Sequence, residues 1–200
     1  MSDRRFLLLH GIENRRPPEH WQHWLAERLR SSGEQVLYPQ LPDPDAPDLA
    51  LWLEVLGAEL GMLGDGERVV VCHSLGCALW LAHCERPGVA RPVDRVLLVS
   101  PPAREILADL APEFARALPE RDAAGQASGT LAVAVSEADP YNPAGARMTH
   151  AEPLGAALRA EPGAGHISAD DSYGPWPAIE TWCRTGSWPV RGRSEGPLSG

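Results

Sequence analysis

The sequence predicts an α/β protein: a three-layer αβα sandwich around a mostly or fully parallel sheet of five to six strands. Three observations carry this. Short runs that are apolar throughout alternate with segments of helical periodicity. One such run, "RVVVCH", passes into a helix without an ordinary loop. And 200 residues suit one domain with a sizeable core.

The elements follow in order. "RFLLLH" reads as the first strand. "EHWQHWLAERLRSS" places Trp21, Trp24, Leu25 and Leu29 at helical spacing, with Gly33 as a stop signal. "EQVLYPQLP" is a second short strand. "DAPDLALWLEVLGAELGML" is a helix with Leu49, Trp52, Leu53, Leu56 and Leu60 on one stripe. "RVVVCH" is the third strand, and a helix runs from Leu75. "VDRVLLVSPP" and "GTLAVAVSEADP" are the fourth and fifth strands, with room for a helix or two between Pro101 and Gly129. "AALRAEPG" is a weaker sixth strand and "WPAIETWCRTG" the last helix. The folded domain is expected over 1–186. After it "SWPVRGRSEGPLSG" loses periodicity and reads as a disordered tail.

Composition excludes several functions. The net charge is −9 and all 18 basic residues are arginine, without a basic stripe. That argues against a nucleic-acid partner. The absence of lysine excludes a Schiff base, a P-loop lysine and a Ser-Lys dyad. No apolar run approaches the roughly 20 residues of a membrane span, and the N-terminus lacks a signal peptide's pattern. A cytoplasmic chain with no membrane partner is expected. Cys72, Cys77, Cys84 and Cys183 match neither a zinc ribbon nor a disulfide framework and read as reduced core thiols. His20 and His23 lack an HExxH pattern or a clear third ligand, so no metal is expected.

The changeover at "CHSLGC" puts Ser74 between strand and helix. A nucleophile elbow has the pattern Gly-x-Ser-x-Gly on such a turn, where small flanking residues let neighbouring backbone approach. Here Gly76 is in place and Cys72 stands for the first glycine. The bland alternative is that Ser74 is simply a helix N-cap. Chain order separates the two, because the acid and the base of a triad follow the serine on later strand ends. Asp139 lies just beyond the fifth strand in "SEADPYNP", and His166 lies in the glycine-flanked turn "GAGHISADD". Glu137, Asp170 and Asp171 are alternative acids in poorer positions. Oxyanion donors are expected from the backbone of Leu75, after the serine, and of Ile12, beside Gly11 in "LLLHGIENRR". His10 reads as structural.

Together these motifs resemble the α/β-hydrolase superfamily. Within it they resemble the small serine hydrolases of the retinoblastoma-binding-protein-9 family and its bacterial relatives. The resemblance covers roughly residues 5 to 186. It rests on "HGIENRRPPEHWQHWL", "VVVCHSLGC", "SEADPYNP" and above all "GAGHISADDSYGPWP". It implies a compact hydrolase domain without a large lid and a Ser74-His166-Asp139 triad. The implied chemistry is acyl transfer from an ester, thioester or amide of a small molecule, with no cofactor. Ile12, Leu75, Pro102, Tyr141 and Trp176 follow strand ends or catalytic turns and, with Gly11, are candidate pocket walls; the alternative for each is a core position. Arg15 and Arg16 either greet an anion or lie in a solvated loop. Two alternatives remain open: a biosynthetic acyltransferase or thioesterase with the same triad, and a non-catalytic binding protein on this fold.

Overall fold

The structure is a computed structural model that describes residues 3–86, 93–119 and 128–189. Six strands form one sheet in the order β2-β1-β3-β4-β5-β6: β1 Arg4–Leu9, β2 Gln35–Leu37, β3 Glu67–His73, β4 Val93–Val99, β5 Ser128–Val135 and β6 Ala157–Ala160. Every adjacent pair is parallel. Parallel pairing needs both faces covered, and the strands show it by alternation. Phe6, Leu8, Val69 and Val71 pack on one face with α1 (Trp21–Ser31) and α6 (Pro177–Thr185). Leu7, Leu9, Val70 and Cys72 pack on the other, against α2 (Leu49–Met62), α3 (Leu75–Cys84), α4 (Arg104–Leu110) and α5 (Pro112–Ala117). Trp21, Trp52, Trp80 and Trp182 are fully buried between the layers.

Local chemistry explains the element ends. Asp48 caps α2 by accepting the Leu51 N–H at 2.8 Å, so that helix starts after Pro47 rather than at Asp45. β2 is three residues, shorter than expected, because Pro39 and Pro42 lack the N–H a ladder needs. β4 stops at Val99, where Ser100 takes φ 48° before two prolines. A single π-helical turn, Arg147–Ala151, precedes β6 and was not legible in the sequence. β6 is a half-exposed edge strand, guarded by Arg159.

Two expectations need correction. Trp176 is no pocket wall. It is 4% exposed and packs edge-on to Trp21 at 5.5 Å and to Tyr173 at 5.1 Å, filling the layer under α1. The ordered chain also runs past Gly186. Trp188 stacks on Trp176 at 6.0 Å and takes the Arg159 guanidinium over its ring at 5.2 Å. The rest of the expected tail, 190–200, lies outside the described residues. Among the described residues no helix is long and apolar enough to cross a membrane.

The topology locates the site. Strand β1 lies between β2 and β3, and the chain leaves β1 for α1 on one face and β3 for α3 on the other. Such a switch point opens a crevice at the carboxyl ends of the two strands. Gly11 and Ser74 lie there.

Candidate active site

Ser74 sits at φ 52° and ψ −124°, a conformation that costs of order 1–3 kcal/mol for a residue with a side chain. The turn is held by Ser74 N–H to Val99 C=O at 3.0 Å and Cys77 N–H to Ser74 C=O at 2.8 Å. Its hydroxyl makes no capping bond to α3, although the residue occupies the N-cap position. That removes the simple N-cap alternative. Gly76 makes the close approach possible: a Cβ there would stand 2.7 Å from the carbonyl oxygens of Leu9 and His10. Gly11 has the matching role across the crevice, since its Cβ would stand 2.7 Å from Ser74 Cβ.

The three residues expected to act together are in contact. The Ser74 hydroxyl lies 2.8 Å from His166 Nε2. His166 Nδ1 lies 2.9 Å and 3.0 Å from the two carboxylate oxygens of Asp139. A carboxylate only accepts, so Nδ1 carries the proton and Nε2 accepts from Ser74. Asp139 is 5% exposed and also accepts the Tyr141 N–H at 2.9 Å. Glu137, Asp170 and Asp171 make no bond to the imidazole. Asp171 instead accepts the backbone N–H of His166 at 2.9 Å and the N–H and hydroxyl of Ser168 at 3.2 Å and 2.8 Å, which fixes the turn. Gly165 at φ 54° lets the carboxylate in: a Cβ there would meet Asp171 Oδ1.

Further polar contacts pin this turn. His73 Nε2–H donates to the His166 carbonyl at 3.0 Å, and the Trp21 indole N–H donates to the Ile167 carbonyl at 2.8 Å. Burial holds His73 well below the ordinary histidine range and His20 down to about 4, so both are neutral. His20 Nδ1 accepts the Gln22 N–H at 3.1 Å, capping α1, which leaves its proton on Nε2. His20 Nε2 and His73 Nδ1 are buried without a partner. The sequence reading missed His73, His20 and the role of Asp171. The only signal for Asp171 was its place in a polar turn five residues after His166. His23 Nδ1 bonds the Arg16 carbonyl at 3.2 Å, so the two neighbouring histidines serve separate backbone contacts.

Leu75 is the first residue of α3, so its N–H has no acceptor within the helix. Ile12 N–H has no acceptor among the described residues. His10 sets its direction. Leu41 N–H donates to His10 Nε2 at 2.9 Å, so the His10 proton is on Nδ1 and goes to the Gly11 carbonyl at 2.8 Å. That carbonyl and the Ile12 N–H share one planar trans peptide and point opposite ways. Holding the first aims the second.

Cys72 is fully buried in the cluster with Cys77, and burial pushes its thiol well above the ordinary range. It is a thiol, not a thiolate nucleophile. A cleft of about 400 Å³ covers Ser74 and His166, with Gly11, Ile12, Leu75, Pro102 and Tyr141 in its walls. Arg15 and Arg16 do not line it. Arg15 pairs with Asp45, while Arg16 donates to the Tyr38 carbonyl at 2.6 Å and to Gln40 at 3.1 Å. A wider groove of about 910 Å³ beside Glu54, Arg86 and Arg116 contains no nucleophile–base pair.

Comparison with known proteins agrees with this architecture. The sequence profile of a family described as serine hydrolase matches residues 6–184. YdeN of Bacillus subtilis (strain 168), a hydrolase by name, is 27% identical over 161 residues, covering 80% of this chain and 84% of that protein. The crystal structure of the B. subtilis ydeN product superposes with a TM-score of 0.78 at 24% identity, over 90% of this chain and 96% of that one. A hydrolase of the alpha/beta superfamily from Xanthomonas campestris pv. campestris gives a TM-score of 0.65 at 22% identity, over 92% and 99%. The fold is that of the α/β hydrolases.

Proposed function

This chain belongs to the serine hydrolase family, and from that premise we propose that it cleaves an ester, thioester or amide of a small-molecule acyl substrate through an acyl-enzyme on Ser74. The observation that carries the reading is His166, which bonds Ser74 through one ring nitrogen and Asp139 through the other.

In the first half-reaction Ser74 Oγ attacks the substrate carbonyl carbon while its proton passes to His166 Nε2. Asp139 holds the Nδ1–H and stabilises the imidazolium. The carbonyl π pair moves to oxygen, and the oxyanion takes the N–H groups of Leu75 and Ile12. As the C=O re-forms, the bond to the leaving group breaks and Nε2–H protonates it. Water then enters, gives its proton to Nε2 and attacks the acyl carbon. The carboxylic acid departs and the proton returns to Ser74. These steps are handled by three side chains and two backbone N–H groups.

Turnover of p-nitrophenyl butyrate by the parent and three variants tests this. Ser74→Ala and His166→Ala should each lower kcat by on the order of 10³-fold or more. Asp139→Asn should fall no further than His166→Ala, and the double variant should be little worse than His166→Ala alone. Full activity in His166→Ala would overturn the mechanism. A fully active Asp139→Asn beside an inactive Glu137, Asp170 or Asp171 variant would move the acid.

A further inference from the structure

The turn that carries His166 contains a strained residue. Ile167 takes φ 52°, a left-handed backbone that is costly for a β-branched side chain. Such a residue persists only where its surroundings fix it. Here the peptides on both sides of its Cα are held by their carbonyls. His73 Nε2–H donates to the His166 carbonyl at 3.0 Å, and the Trp21 indole N–H donates to the Ile167 carbonyl at 2.8 Å. Relaxing Ile167 to a negative φ would rotate the peptide that joins it to His166.

The hold on the His166 carbonyl depends on a tautomer. A neutral imidazole carries its proton on one nitrogen only. With the proton on Nε2, His73 donates to the carbonyl; with it on Nδ1, a lone pair would face the carbonyl oxygen instead. His73 is 3% exposed, and its Nδ1 has no partner among the described residues. Its complement is on the next ring. His20 Nδ1 accepts the Gln22 N–H at 3.1 Å, so the His20 proton is on Nε2, and that buried N–H has no acceptor. The His20 and His73 ring centroids are 5.0 Å apart, at 63° between planes. One orphan is a donor and the other an acceptor. A buried polar atom left unpaired costs free energy, and these two can satisfy each other. Both imidazoles are neutral, as an N–H···N bond between them requires.

Resting on the hydrolase reading above, we propose that His20 Nε2–H donates to His73 Nδ1 and locks His73 in the tautomer that holds His166, which makes His20 and His73 positioning residues for the reaction. A small rotation of either ring closes the bond. A chain of hydrogen bonds then runs from the Gln22 N–H through His20 and His73 to the His166 carbonyl. It ties the first turn of α1 to the catalytic base. His20 and Trp21, neighbours in sequence, thereby hold the neighbouring carbonyls of His166 and Ile167. Neither histidine exchanges a proton with substrate; both act through the placement of His166.

Nuclear magnetic resonance of the protein with ring-15N histidine tests the bond directly at pH 7. Expected are Nε2–H tautomers at His20 and His73 and a scalar coupling between His20 Nε2 and His73 Nδ1. An Nδ1–H tautomer at His73, or no coupling, overturns the inference. Kinetics on p-nitrophenyl butyrate test the role. His20→Asn keeps an acceptor for the Gln22 N–H but loses the donor to His73. It should lower kcat by roughly 10-fold, with KM within about twofold of the parent. His73→Phe, which loses the donor to His166, should lower kcat by on the order of 10²-fold. His73→Gln, which can place an N–H near the lost one, should recover at least part of that loss. Parent-like kcat in folded His20→Asn, or equal kcat in His73→Gln and His73→Phe, overturns the positioning role and leaves the hydrolase reading intact. Failure of the parent to react with a fluorophosphonate would sink the hydrolase reading instead, whatever the coupling shows.

Discussion

Replacing Gly11 by alanine probes the crevice with a single methyl group. Its Cβ would stand 2.7 Å from Ser74 Cβ, 3.1 Å from Ser74 Oγ and 3.4 Å from the His73 carbonyl oxygen. Carbon atoms rest at about 3.5–4.0 Å, so the closest contact overlaps by about 1 Å. Either the β1–α1 loop moves outward or the Ser74 side chain turns. The first displaces the Ile12 N–H, and the second breaks the 2.8 Å contact with His166 Nε2. A misplacement of about 1 Å can cost on the order of 10²-fold in rate. Overpacking costs about 1–3 kcal/mol of stability, a Tm loss of roughly 2–12 °C in a chain of this length. The assay is kcat/KM for p-nitrophenyl butyrate beside thermal unfolding by circular dichroism. Gly76→Ala is the contrast, because its Cβ would meet two backbone oxygens that cannot turn aside, so its larger deficit should be in folding. A folded Gly11→Ala protein within about twofold of the parent rate would refute the close-packed crevice.

Three further outcomes follow from the same contacts. His10→Phe frees the Gly11 carbonyl and should lower kcat by roughly 10- to 100-fold with little change in KM, as partial loss of one oxyanion donor does; a parent-like kcat would contradict the pinned peptide. Burial holds His10, His20 and His150 down to about 4, whereas in the unfolded chain they titrate near 6.5. Between these values the unfolded state binds the extra protons, so their stabilisation is full above about pH 6.5 and is lost as pH falls through about 4. The slope is about 1.4 kcal/mol per pH unit for each histidine, or roughly 4 for the three, readable by urea unfolding at pH 7, 6 and 5; a flat profile would contradict it. Cys72→Gly should retain activity, while Cys72→Leu should lose stability by crowding the strand beneath the elbow; an inactive but folded Cys72→Gly protein would show that the thiol has a chemical role.

The parts of this molecule that were legible in the sequence are those governed by local pattern. Val69 to Val71 read as a buried strand because every residue of a doubly covered strand is apolar. Ser74, Asp139 and His166 read as a set because strand ends deliver them in chain order. Gly11 and Gly76 were legible as small residues, but only the fold shows what a methyl group at each would strike. The less legible features depend on contacts between distant segments. Trp176 looked like a wall because it follows the His166 turn, yet Trp21, brought alongside by α1, draws it into the core. Nothing in the local pattern singles out His73, and it supports the His166 carbonyl from 93 residues away. Arg15 and Arg16 looked able to face an anion, and Asp45, Tyr38 and Gln40 turn them outward.

The central claim is that Ser74 is the activated nucleophile of this chain. Its most direct test is reaction with a fluorophosphonate, followed by intact mass and peptide mapping. One adduct is predicted, on the peptide containing Ser74, and Ser74→Ala or His166→Ala should abolish or strongly slow it. An adduct on another residue such as Ser100, or undiminished reaction of Ser74→Ala, would contradict the account.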